Sequence, residues 1–170
     1  SVRLSLMITV LIFCINIFSI QITNSGFSFL NSLLEQNIFQ VCFVLLCFLF
    51  IINGANLIDG YNGLLTIHFL IINFILLGVN LTNQHHDMVL ILIFQIIITS
   101  SFLLFNFPKA KMFLGDAGSY LCGSLIAINA IKTHQLNPQT SSFFFASILF
   151  YLSYEVFFSF IRKTVKKKSP

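Results

Sequence analysis

Six long runs of apolar residues, separated by short polar stretches, dominate the sequence; they cover residues 4–20, 38–52, 64–79, 88–107, 117–131 and 143–161. A helix needs about 20 mainly apolar residues to cross a hydrocarbon core of roughly 30 Å. Uncharged flanks can extend the shorter runs by a turn. Lipid cannot hydrogen-bond the backbone, and the runs lack the alternation of barrel strands. The pattern predicts an all-α fold, a polytopic transmembrane bundle of about six helices that forms one integral-membrane domain over residues 1–170.

Composition agrees with this pattern and excludes other classes. The chain is 57% hydrophobic and only 8% charged, and its mean hydropathy is +0.94. Soluble domains carry roughly 25% charged residues, and disordered chains are poor in apolar ones. Five of the nine Lys and Arg residues lie between Arg162 and Lys168. The net positive charge is therefore a feature of one end, and no nucleic-acid partner is expected.

The distribution of basic residues predicts the orientation, because cytoplasmic loops collect Lys and Arg. Six spans divide the loops into two sets. One set holds eight of the nine basic residues: Arg3, Lys109, Lys111, Arg162, Lys163, Lys166, Lys167 and Lys168. The other set holds only Lys132. Both termini are therefore expected in the cytoplasm, together with the loops at 53–63 and 106–116.

The first of these cytoplasmic loops carries a polar residue at every third position, namely Asn53, Asn56, Asp59 and Asn62. If the preceding helix continues, one face presents Asn56, Asp59, Gly60 and Gly63. Such a face offers an amide, a carboxylate and two points of close backbone approach. The alternative is an ordinary turn, since Asp-Gly and Asn-Gly are common turn dipeptides.

The second cytoplasmic loop places Asp116 just before an apolar helix, between Gly115 and Gly118 and after Lys109 and Lys111. Proteins usually bind Mg²⁺ through one or two carboxylates plus substrate phosphates, and a helix N-terminus favours anions. The loop therefore suits a diphosphate substrate. The alternative is that Asp116 serves only as the N-cap of the fifth span.

Glu155 is the only formal charge inside a predicted span. Ionisable residues within a membrane are functional candidates by default. The alternative is that Glu155 extends towards the interface near Arg162.

Two motifs together resemble a known family. The segment Asn56-Leu-Ile-Asp-Gly-Tyr-Asn-Gly-Leu64 is followed about fifty residues later by Asn106 and by Phe113-Leu-Gly-Asp-Ala-Gly-Ser119. This resembles the polyprenyl-phosphate N-acetylhexosamine-1-phosphate transferases, glycosyl transferase family 4, which include the phospho-N-acetylmuramoyl-pentapeptide transferase of peptidoglycan synthesis. The resemblance implies an Mg²⁺-dependent phosphoglycosyl transferase that moves a sugar phosphate from a UDP-N-acetylhexosamine onto a polyprenyl (undecaprenyl) phosphate and releases UMP.

The resemblance also implies roles for individual residues. Asp116 would bind Mg²⁺ and, with Asp59, would be catalytic, while Phe113 would stack on the uracil. The family commonly has aspartate where this chain has Asn62, so a charge is lost there. The substrate-binding residues implied are Asn56, Asn62, Asn106, Lys111, Phe113 and Gly115.

The resemblance further implies a setting and a chain length. The protein is expected in a bacterial inner membrane with its active site on the cytoplasmic face, in contact with membrane lipid and compatible with a homodimer, and serving cell-wall, peptidoglycan or lipopolysaccharide synthesis. The family's upstream aspartate pair and downstream His-rich loop are not in this sequence. We therefore expect an internal fragment of a longer transferase that is inactive by itself. A membrane transporter or a non-catalytic membrane subunit is the alternative function.

Overall fold

The computed structural model describes the backbone of residues 2–22 and 24–165. Within these residues the chain forms seven helices: α1 (Val2–Ile17), α2 (Ser28–Leu34), α3 (Asn37–Ile58), α4 (Leu64–Thr82), α5 (His86–Asn106), α6 (Gly115–Leu136) and α7 (Ser142–Val165). The described residues include no strand. The predicted all-α fold is confirmed. Of the basic residues that predict the orientation, Lys166, Lys167, Lys168 and the side chain of Arg3 lie outside the described residues.

Each of the six predicted spans corresponds to one helix, although the spans 4–20 and 88–107 extend beyond the ends of α1 and α5. Among the described residues, α3, α4, α5 and α7 are long and apolar enough to cross a membrane. The first predicted span corresponds to α1, which has 16 residues. The fifth corresponds to α6, which has 22 residues and carries the polar sequence Lys-Thr-His-Gln in its last turn, before Leu136. Helix α2, which lies in the predicted loop between the first two spans, is too short to give a periodic signal of its own.

Helix α3 occupies the centre of the bundle and packs against α1, α2, α6 and α7. Two glycines permit the closest of these contacts. A Cβ at Gly54 would overlap the Leu152 carbonyl of α7, and a Cβ at Gly123 of α6 would lie 2.8 Å from the Ile52 Cα. Helices in lipid associate largely through such close packing at small residues. The position of α7 beside the end of α3 depends on this contact.

A triad of amides, Asn73 of α4, Gln95 of α5 and Asn129 of α6, joins three helices near their midpoints. Asn129 Nδ2 donates to Asn73 Oδ1 at 3.0 Å and to Gln95 Oε1 at 2.6 Å. Asn73 Nδ2 donates to Gln95 Oε1 at 3.1 Å. Asn73 and Asn129 are fully buried. Because lipid offers no alternative partners, the triad fixes the rotation of α4, α5 and α6 relative to one another.

The hydrogen bonds of the amide triad predict that replacing one of its members lowers the free energy of unfolding. Replacing Asn129 by leucine keeps the volume but leaves buried polar atoms of Asn73 and Gln95 without partners. We expect a destabilisation of about 1–2 kcal/mol, measured by unfolding in detergent. Asn16→Leu is the matched control, because the exposed Asn16 bonds only the Ile12 carbonyl of its own helix. Equal stability of the two variants would contradict the role assigned to the triad.

Candidate functional site

The segment after α3 forms one wall of the site. Helix α3 continues to Ile58, which puts Asn56 in its last turn and Asp59 at its C-cap. The chain then turns, and Gly63 adopts a left-handed conformation with φ of 75°. A Cβ at Gly63 would lie 2.9 Å from Phe107 of the other loop. The helix therefore does not continue through Gly60 and Gly63, and Gly63 lets the two loops approach each other.

The segment before α6 forms the opposite wall. Helix α6 begins at Gly115, whose φ is 64°, and Asp116 lies in its first turn. The N-cap residue is Leu114, and no side chain caps the helix. Asp116 thus does not occupy the N-cap position that was the alternative to a functional role. Its carboxylate is exposed beside the helix N-terminus, where the helix dipole favours negative charge and bound anions.

Asn106, the last residue of α5, holds the two loops together. Its Oδ1 accepts hydrogen bonds from the Gly63 backbone N–H at 2.8 Å and from Thr66 Oγ1 at 3.4 Å. Its Nδ2 donates to the Met112 carbonyl at 2.7 Å. The side chain is buried, with 5% exposed. Both ends of the Asn106 amide are therefore engaged by the protein and link the two loops, and its contact with substrate stays a prediction.

Two carboxylates and two neutral polar side chains meet where these walls join. Burial raises the pKa of Asp59, and the negative charge of Asp116 raises it further. Ser119 Oγ donates to Asn56 Oδ1 at 2.8 Å. The structure thus brings together Asn56, Asp59 and Asp116 as the sequence predicts. Ser119, the last residue of the second motif, also belongs to this cluster, although the sequence pattern predicts no role for it.

The other predicted site residues lie on the same two chain segments as this cluster. Asn62, Lys111, Phe113 and Gly115 are all exposed. Phe113 has 71% of its surface exposed. Among the described residues, the side chains of Asn62 and Lys111 make no hydrogen bond to the cluster. Asn62 and Lys111 are therefore assigned to the site only because the loops that carry them form its walls.

The described residues contain no group of three or more His, Cys, Asp and Glu side chains that could hold a metal ion. The site therefore offers at most the Asp59 and Asp116 carboxylates and neutral oxygens. Mg²⁺ keeps several waters and binds through one or two carboxylates plus substrate phosphates. The donor set suits an Mg²⁺ ion that arrives with a diphosphate.

A cavity of about 510 Å³ opens beside the site, between the α3–α4 loop and α7. It is lined by Leu57, Tyr61, Leu64, Tyr151, Tyr154, Glu155, Phe158, Ser159 and Arg162. Glu155 faces this cavity and interacts with Tyr151, one helical turn earlier. The sequence singled out Glu155 but not the tyrosines, because only the packing of α7 against the α3–α4 segment brings Tyr61, Tyr151 and Tyr154 to one cavity.

The fold and the site define a polytopic helical membrane protein with a polar, carboxylate-bearing site at one end of its bundle. The model of glycosyl transferase family 4 matches residues 1–134, and the chain belongs to this family. It is 31% identical over 128 residues to undecaprenyl-phosphate alpha-N-acetylglucosaminyl 1-phosphate transferase of Thermotoga maritima, covering 75% of this chain and 38% of that protein.

Two further relatives are phospho-N-acetylmuramoyl-pentapeptide-transferases. The protein of Leuconostoc mesenteroides is 42% identical over 85 residues, which is 46% of this chain and 25% of the relative. That of Streptococcus agalactiae is 33% identical over 120 residues, which is 68% of this chain and 35% of the relative. The chain thus spans about a third of the length of the curated relatives it matches. No solved structure matches it.

The proximity of the two carboxylates predicts a coupled titration. In Asp116→Asn the pKa of Asp59 should fall, because the neighbouring charge is gone, but remain above its ordinary value, because burial persists. Carbon-13 carboxyl titration in detergent can follow this, since the chain has three aspartates. Asp87→Asn is the matched control, because exposed Asp87 begins α5 at the opposite end. An Asp59 pKa that responds equally to both substitutions, or to neither, would contradict the geometry.

Proposed function

We propose that the protein transfers an N-acetylhexosamine 1-phosphate from a UDP-sugar to a polyprenyl phosphate and releases UMP, in the synthesis of a cell wall or surface polysaccharide. The observation that carries the proposal is the meeting of Asn56, Asp59 and Asp116 at one end of a membrane-embedded bundle. The names of the relatives supply the reaction: one acts on undecaprenyl phosphate with N-acetylglucosaminyl 1-phosphate, and others transfer phospho-N-acetylmuramoyl-pentapeptide.

In the proposed reaction an oxygen of the lipid phosphate attacks the β-phosphorus of the UDP-sugar. A new P–O bond forms there, and the bond from the β-phosphorus to the bridging oxygen breaks, so that UMP leaves with that oxygen. Such transfers are catalysed mainly by positioning and by charge stabilisation. A site of carboxylates, amides and a nearby lysine can supply both.

Mg²⁺ is part of the proposal because the donor set described above suits it. Asp116 would hold the ion, with Asp59 close enough to share its charge. When bound, Mg²⁺ would neutralise negative charge on the diphosphate. The exposed ammonium of Lys111 would add a further positive charge on the same loop.

The exposed residues of the loops would bind the rest of the nucleotide. Phe113 presents a free aromatic ring, and stacking of a base on such a ring stabilises binding by about 1–3 kcal/mol. Asn56 and Asn62 would hydrogen-bond the phosphates or the sugar. Gly115 has no heavy atom within 4 Å of the place where a Cβ would stand, so a ligand can approach the backbone there.

The cavity beside α7 is the proposed entry for the lipid acceptor. Its lining combines apolar side chains, such as Leu57 and Phe158, with the Arg162 guanidinium. An amphipathic lipid phosphate needs apolar contacts for its chain and a positive charge for its phosphate. Because the cavity includes Tyr61 of the α3–α4 loop, a phosphate bound there would lie beside the nucleotide site.

The alternative of a transporter predicts polar residues at the midplane that line a pathway. The amide triad lies at that depth, but its members bond to one another. Neither the 510 Å³ cavity nor an apolar cavity of about 290 Å³ between α2, α3, α6 and α7 is lined by them. The triad therefore fits a structural role, and the proposal stays with the transferase.

We also propose that the site faces the cytoplasm of a bacterium. Lys109 and Lys111 lie on the α5–α6 loop, and Arg162 and Lys163 lie in the last turn of α7, at the same end as the site. Lys132 lies towards the other end of α6. The bias of basic residues towards the site matches the rule for cytoplasmic loops.

The proposal predicts transfer in inverted membrane vesicles that carry the full-length protein. With undecaprenyl phosphate, Mg²⁺ and radiolabelled UDP-N-acetylglucosamine, we expect lipid-linked sugar phosphate and an equal amount of UMP. Other UDP-N-acetylhexosamines are assayed in parallel to find the preferred sugar. Asp116→Asn should reduce the rate at least a hundredfold, because the amide keeps the shape but loses the charge that holds the cation.

Asp87→Asn is again the matched control and should keep the wild-type rate, since that carboxylate lies at the opposite end. Right-side-out vesicles should give no product until they are permeabilised. An Asp116→Asn variant within threefold of wild type, or the absence of UMP release with every UDP-sugar, would overturn the proposal.

A further inference from the structure

Ser119 makes a hydrogen bond that its position in a helix does not require. Its side chain is fully buried, one turn after Asp116. Its Oγ lies 2.8 Å from Asn56 Oδ1 and 3.0 Å from the Asp116 backbone carbonyl. One hydroxyl thus touches both walls of the site, the last turn of α3 and the first turn of α6.

A comparison within α6 shows what is unusual about this contact. Serine in a helix commonly donates to a backbone carbonyl three or four residues earlier. Ser124 does only this, with Oγ donating to the Tyr120 carbonyl at 2.7 Å. Ser119 has the same kind of backbone contact and, in addition, a side-chain partner on another helix. That second contact joins the last turn of α3 to the first turn of α6.

We propose that Ser119 is a positioning residue that holds the Asn56 amide beside Asp116 in the orientation that the nucleotide diphosphate requires; this rests on the function proposed above. The single Ser119 hydroxyl hydrogen is shared between Asn56 Oδ1 at 2.8 Å and the Asp116 carbonyl at 3.0 Å, and its bond to the nearer Oδ1 fixes the rotation of the Asn56 amide. Nδ2 makes no hydrogen bond to another described residue, so it is the end of the amide that is left to donate to a substrate oxygen. Ser119 itself touches no substrate.

Asn106 and Ser119 have different structural roles at the site. Asn106 joins the loops through backbone groups and sets their distance. Ser119 orients the Asn56 side chain between the two loops that Asn106 joins. Loss of Ser119 should therefore leave the fold intact and change the use of the UDP-sugar, an effect that passes entirely through Asn56.

The test is a double-mutant cycle in the full-length protein. The proteins are wild type, Ser119→Ala, Asn56→Ala and the double variant, with Ser124→Ala as the matched control. Steady-state kinetics are measured with varied UDP-N-acetylglucosamine at saturating undecaprenyl phosphate. We expect Ser119→Ala to lower kcat/KM about five- to tenfold, the size of one hydrogen bond, and Ser124→Ala to leave it unchanged.

The decisive comparison is made in the Asn56→Ala background, where Ser119→Ala should have no further effect on kcat/KM. A general packing defect would lower kcat/KM by the same factor in both backgrounds, and that result would overturn the proposal. So would a Ser119→Ala variant that matches Ser124→Ala. Ser119→Thr, which keeps the hydroxyl, should recover activity relative to Ser119→Ala.

A substrate-free measurement separates this proposal from the proposed function. Thermal unfolding of the same four proteins should show coupling between Ser119 and Asn56, because each alanine removes the same hydrogen bond. Wild-type protein without transferase activity would refute the proposed function while the unfolding cycle still decides whether Ser119 holds Asn56. Additive unfolding effects would overturn the positioning role whatever the activity.

Discussion

The site depends on the buried amide of Asn106. Two irregular loops meet at the end of a membrane bundle, where backbone polar groups have few partners and an unsatisfied one is costly. Asn106 accepts from the Gly63 backbone and donates to the Met112 carbonyl, so one side chain satisfies a group on each loop. The left-handed Gly63 makes room for Phe107 and allows this approach. Loss of the amide would leave the Gly63 N–H and the Met112 carbonyl without these partners and would weaken the contact between the loops.

Helix packing places the two loops at the same end of the bundle. Small residues let α6 and α7 approach α3, and the amide triad sets the rotation of α4, α5 and α6. At the end away from the site, a second set of buried polar groups does similar work: Asn80 Nδ2 donates to Thr133 Oγ1 at 2.9 Å, and Asn137 Nδ2 donates to the Thr133 carbonyl at 2.7 Å. The bundle is thus fixed at its middle and at both ends by neutral hydrogen bonds.

Much of this could be predicted from the sequence, because a membrane imposes strong patterns. Apolar runs located the long helices, and the order of the six spans predicted that the loops with Asn56, Asp59 and Asp116 lie at one end of the bundle. What the sequence could not show are contacts between residues far apart in the chain. The bond from Ser119 to Asn56 spans 63 residues, and the bond from the Gly63 backbone N–H to Asn106 spans 43. Each role depends on which atoms the partner helix presents.

In the proposed transferase, segments 53–63 and 106–119 form the two walls of one nucleotide-sugar site. Photo-crosslinking with a UDP-N-acetylglucosamine that carries an azide on the uracil tests this most directly, with the modified peptides mapped by mass spectrometry. We expect labelled peptides from both segments, suppressed by excess unmodified UDP-N-acetylglucosamine and weakened when Mg²⁺ is removed. Specific labelling confined to loops at the other end, such as 80–87 or 132–142, would contradict it.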